Sequence, residues 1–135
     1  MRPRAFRRPD SGFTLIELMV VMSLIVILAS IGLATYTNSV TRSKEAVLKE
    51  DLFRMRDALD QYYADKEKYP PALDELISGK YLRALPVDPF TQSADTWQTE
   101  MSELDPNKPT AEPGVANVKS GSDRVALDGT KYAEW

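Results

Sequence analysis

An α+β fold is predicted from three features: an apolar run at Phe13–Ala34, an amphipathic stretch after it that no proline interrupts, and a punctuated C-terminal half with two short strand candidates. Together they describe one long N-terminal helix, apolar in its first half, packed against a small C-terminal domain with a short helix and a small antiparallel sheet. Three segments follow: a basic leader at 1–12, the apolar half of the helix at 13–37 and a domain at 38–135.

The apolar run carries a single charge, Glu17. As a helix its 22 residues reach about 33 Å, the thickness of a bilayer's hydrocarbon core. A cleaved secretory signal is the competing reading, with Gly32-Leu33-Ala34 as its small-x-small site. The run is long for such a signal, and an acid near the start of its apolar core is unfavourable.

No proline occurs between Asp10 and Tyr69, so nothing forces the helix to stop at a membrane surface. Beyond Asn38, Leu48, Leu52, Met55, Leu59 and Tyr62 recur at alternating spacings of four and three, which lays one apolar stripe along a helix. Arg42, Lys44, Lys49, Glu50, Asp51, Arg54, Asp57 and Asp60 fall mostly off that stripe. The spacing predicts a single helix from about Phe13 to about Ala64, on the order of 77 Å long.

Tyr69-Pro70-Pro71 ends it, because a residue before proline is pushed towards extended geometry and Pro71 suits the first turn of a new helix. Ala72, Leu73, Leu76 and Ile77 give that short helix a face, and Gly79 is its expected stop. Tyr81, Leu82 and Leu85 are further apolar anchors. Thr91–Gly114 reads as loop, with Trp97, Met101 and Leu104 as packing points. Val115–Lys119 and Arg124–Leu127 are the strand candidates, joined as a hairpin by a turn at Ser120-Gly121-Ser122-Asp123.

Composition narrows the function. The leader Met1–Gly12 holds four of the 17 cations and one of the 20 anions, so the remainder has 13 against 19, a net charge of −6. An acidic body argues against nucleic-acid binding, which needs clustered Lys and Arg. The leader arginines fit a topology signal that keeps the N-terminus cytoplasmic. Cysteine and histidine are absent, so no disulfide forms, and the commonest general base and metal ligand are missing.

The chemistry-bearing stretch is Ser11-Gly12-Phe13-Thr14-Leu15-Ile16-Glu17-Leu18. Behind a basic leader and ahead of an apolar helix, it resembles the processing and N-methylation site of type IV pilins and type II secretion pseudopilins. The resemblance implies that a prepilin peptidase cuts after Gly12, methylates the new N-terminus at Phe13 and leaves the helix in place. It also implies that Glu17 pairs with the Phe13 amine of a neighbouring subunit during assembly. Buried among apolar chains, a lone carboxylate costs roughly 2.5–3.5 kcal/mol or more and persists when it finds a partner, fixing register. The competing reading keeps Glu17 hydrated among headgroups, since it lies only about 6 Å along the helix from Phe13.

Tyr69-Pro70, Leu73, Leu76, Tyr81-Leu82, Leu85-Pro86 and Asp88-Pro89-Phe90 resemble the major, G-type pseudopilin in particular. That resemblance implies a pilin-like fold and a filament that is a homopolymer, with minor pseudopilins and an inner-membrane assembly platform as partners. It implies a single-pass inner-membrane protein whose C-terminal domain is periplasmic. Many such pseudopilins bind Ca²⁺ in a C-terminal loop. Asp123 and Asp128 are the candidate ligands here, in a segment shorter than the family's usual loop. Ala34 stands where the family often has proline, with Ser30 and Gly32 as substitute places for the helix to loosen. A true type IV pilin is the alternative. A soluble module released after Ala34 would start at Thr35, and an enzyme using paired carboxylates would need a motif that no acidic pair supplies.

Overall fold

The computed structural model describes residues 12–103 and 112–135; the leader before Gly12 and Leu104 lie outside them. The chain divides into two compact units, one ending at Thr37 and the other spanning Asn38–Trp135. Helix α1, Leu15–Lys66, contributes to both. Its start and end lie two residues from those expected. It continues through Ser30, Gly32 and Ala34 without a break. Glu67 stops it by turning left-handed (φ 55°), with its N–H still donating to the Tyr63 carbonyl at 2.8 Å.

In the second unit, all five residues of the stripe are buried: Leu48, Leu52, Met55, Leu59 and Tyr62. Ala58 joins them, and this face is the floor of the core. Helix α2, Asp74–Ser78, begins beyond Pro71, with Leu73 as its N-cap and Gly79 as its C-cap. Gly79 keeps a right-handed φ of −77°, and the left-handed step falls on Lys80 (φ 64°). Glycine is needed there for room, since an added Cβ would lie 2.7 Å from the Tyr81 ring. Tyr81, Leu82, Leu85 and Phe90 pack on the core, and Trp97 is buried with its indole N–H on the Pro86 carbonyl at 2.9 Å.

The sheet corrects the expected topology. Strand β2 is Val115–Lys119, as its β-branched residues suggest, but its partner is β1, Gln98–Met101, inside the stretch expected to be loop. The two are antiparallel, from Gln98 opposite Lys119 to Met101 opposite Val115, with a bulge between Glu100 and Met101. Every residue of β1 is exposed, so the strand leaves no apolar alternation to read. Met101, expected to pack, is half exposed. Residues 124–127 form no strand. The chain there makes a tight turn, closed by the Ala126 N–H on the Thr130 carbonyl (2.7 Å) and a lone bridge between Val125 and Lys131. A 3₁₀ turn at Tyr132–Glu134 ends the chain, with Tyr132 buried and stacked on Phe90 at 4.0 Å between ring centres.

Candidate functional site

Gly12, Phe13 and Thr14 precede α1 as extended chain, and Phe13 is 87% exposed. The Thr14 hydroxyl accepts the Glu17 backbone N–H at 3.2 Å, and the Thr14 carbonyl accepts the Leu18 N–H at 3.1 Å. Thr14 is therefore the N-cap, and Thr14-x-x-Glu17 has the spacing of a capping box. That four-residue signal was readable in the sequence and was missed. Glu17 also sits in the first turn, where a carboxylate suits the positive end of the helix dipole. These local effects favour an acid at this position before any partner arrives.

From Leu18 to Ala34 the helix carries no charged residue, and apolar side chains face every side. Leu15, Ile16, Leu18, Met19, Leu24, Ile27, Leu28, Ile31 and Leu33 are all more than half exposed. The few hydroxyls turn back on their own helix: Ser23 donates to the Met19 carbonyl and Ser30 to that of Val26, at 2.8 and 2.7 Å. With their polar atoms satisfied inside the helix, they suit an apolar surrounding. This helix is long and apolar enough to cross a membrane.

At the other end of the chain, Asp123 is exposed, and Asp128 forms a turn in which its Oδ1 accepts the Thr130 N–H and O–H at 2.9 and 2.6 Å. Those bonds hold the Asp128 carboxyl below its usual pKa. The buried acid of this region is Asp88, which stands in the sequence only as part of Asp88-Pro89-Phe90. It accepts the Phe90 N–H, the Thr91 N–H and the Ser120 O–H, at 2.8, 3.3 and 2.5 Å. Ser122 is buried too and closes the loop on itself, its N–H donating to Ser120 Oγ and its Oγ accepting the Arg124 N–H. A Ca²⁺ shell takes six to eight oxygens. Among the described residues no group of three or more acidic, His or Cys side chains forms such a site. Asp123 and Asp128 are both exposed, and Asp128 is already engaged by Thr130, so they form no preassembled carboxylate cluster among the described residues.

Residues 7–33 match the family model described as the prokaryotic N-terminal methylation motif. A long apolar helix begun at that motif, with a small α+β domain on its second half, defines a type IV pilin-like protein. The chain is 31% identical over 100 residues to the type II secretion system core protein G of Aeromonas hydrophila, and 35% over 100 residues to that of Pseudomonas aeruginosa. Each alignment covers 62% of this chain and 70% of the relative. The chain belongs to the type II secretion system core protein G family, the major pseudopilins. It is also 34% identical over 76 residues to the type IV major pilin protein PilA of Myxococcus xanthus, covering 56% of this chain and 34% of that pilin. No solved structure matches.

Proposed function

We propose that this chain is a structural subunit of a type II secretion pseudopilus or a related filament. It is cut by a prepilin peptidase after Gly12, methylated on Phe13 and polymerised through α1. The observation that carries this reading is the exposed Gly12-Phe13 pair set directly before a capped helix whose apolar stretch, as far as Ala34, has Glu17 as its only charge. Gly12 has no atom within 4 Å of an added Cβ, so packing does not ask for glycine there. Recognition by a processing enzyme does. The subunit works by assembling rather than by catalysis. It sits in the inner membrane with its N-terminus cytoplasmic and its domain periplasmic, and it grows on an assembly platform with minor pseudopilins. A true pilus is the second reading, supported by the similarity to the type IV major pilin of Myxococcus xanthus.

Intact mass and N-terminal sequencing, with and without the peptidase, test the processing step. The expected product starts at Phe13 and carries one added methyl; an N-terminus at Thr35 refutes the scheme. Assembly is tested with Glu17→Gln, which keeps the capping-box geometry and removes the charge. Normal insertion with failed filaments supports pairing with a neighbour's amine. Normal filaments reduce Glu17 to a first-turn acid that suits the helix dipole. Fibre length and surface exposure separate pseudopilus from pilus.

A further inference from the structure

The C-terminal strap, Ser120–Trp135, has almost no regular structure, yet it places Ala126 and Tyr132 in the core. Its attachment to α1 runs through three side chains. Glu45 Oε1 accepts both the Leu127 N–H at 2.8 Å and the Tyr132 O–H at 2.9 Å. Lys49, one turn on, places its ammonium 4.3 Å from the centre of the Trp135 ring. Arg56 donates to Asn117 Oδ1, to the Val118 carbonyl and to the Trp135 carbonyl, at 2.9, 2.9 and 2.8 Å, and so ties β2 and the strap's last residue to one guanidinium.

Polarity decides what kind of clasp this is. A divalent cation closes a loop by gathering acceptors, carboxylates and carbonyls. Here the strap turns two donors, the Leu127 N–H and the Tyr132 O–H, to the one Glu45 carboxylate, and the carbonyl it offers α1, that of Trp135, is filled by Arg56. Of the strap's three acids, Asp123, Asp128 and Glu134, Asp128 bonds within the strap to Thr130, whose Oγ1 in turn accepts the Trp135 indole N–H at 2.7 Å. We infer that Glu45 is an anionic latch for the strap and that closure needs no divalent cation. Glu45 is a positioning residue: it holds Leu127 and Tyr132, and through Tyr132 the stacked Phe90 and the edge-on Trp135.

Trypsin reads the latch directly, because Arg124 and Lys131 lie exposed within the strap. Full chain purified in detergent is digested in calcium chloride or in EGTA, and cuts are quantified by mass spectrometry. Wild type is expected to be cut in the strap at the same rate in both. Glu45→Ala is expected to raise cutting at Arg124 and Lys131 about tenfold, equivalent to ~1.4 kcal/mol of easier local opening, with cutting at Arg54 on α1 unchanged. Glu45→Gln, which keeps an acceptor oxygen, falls between. Faster wild-type cutting in EGTA overturns the inference. So does Glu45→Ala cut at the wild-type rate, or cut at Arg54 and in the strap alike.

Discussion

Gly121→Ala puts one methyl group where the fold has no room for it. An added Cβ would lie 1.9 Å from the Thr96 carbonyl oxygen and 2.9 Å from its carbon. Ordinary contact begins near 3.4 Å, so the two loops must part by about 1.5 Å. Neither side yields freely. Thr96 precedes buried Trp97, and Gly121 lies between buried Ser120 and Ser122. Overpacking of this kind costs about 1–3 kcal/mol. If the Ser120 loop retreats, buried Asp88 loses its hydroxyl donor, adding about 1–3 kcal/mol. At ~4–8 °C per kcal/mol for a domain of this size, the unfolding midpoint should fall by roughly 10 °C or more. Tryptophan fluorescence of the full chain in detergent follows it, since Trp97 and Trp135 both pack on this core. Gly32→Ala is the control: nothing lies within 4 Å of its Cβ, and alanine favours a helix by about 1 kcal/mol. A Gly121→Ala midpoint within roughly 3 °C of wild type would refute the close approach.

Leu59→Ala empties a fully buried position and should lower stability to denaturant by about 2–5 kcal/mol, whereas Phe53→Ala, at 67% exposed, should change it by less than about 0.5 kcal/mol. Asp88→Ala strips an acceptor from the Phe90 N–H, the Thr91 N–H and the Ser120 O–H, and should cost about 3 kcal/mol or more in the same titration. Burial first, then the Glu45 carboxylate, push Tyr132 up to about 12. A pKa raised by folding supplies stability that is whole below the unfolded value near 10 and lost as pH climbs through 12. Melting should therefore decline across that window, and Tyr132→Phe should lessen the decline.

What the sequence made legible follows from which forces leave a periodic trace. The helix stripe from Leu48 to Tyr62 was readable because burial on one side of a helix repeats at three and four residues. Val115–Lys119 was readable from its β-branched residues, although Val115 and Val118, both inside, lie three apart and depart from the pleat's alternation where the bulge falls. Strand β1 was not: Gln98–Met101 buries no side chain and is held by backbone pairing and by surface contacts, among them Glu100 with Lys119 at 2.6 Å. The hairpin expected through Ser120–Asp123 failed because those residues answer to distant partners, Asp88 and Thr96, rather than to one another alone. Glu45 and Arg56 leave no local trace of their role, because their partners lie more than 60 positions away. At the N-terminus the informative residues were contiguous, so motif and structure coincide; only the cap at Thr14 was overlooked.

The bulge between Glu100 and Met101 has a consequence for a molecule built to polymerise. A two-stranded sheet offers bare edges, and bare edges recruit other strands indiscriminately. Strand β1 is four residues long and carries an ion pair, and the bulge puts an extra residue, Ala116, into its partner β2, all of which discourage a stray chain from docking alongside. Subunits crowded together in a membrane thus keep their stickiness on the helix and off the sheet, so that self-association yields an ordered rod instead of a tangle.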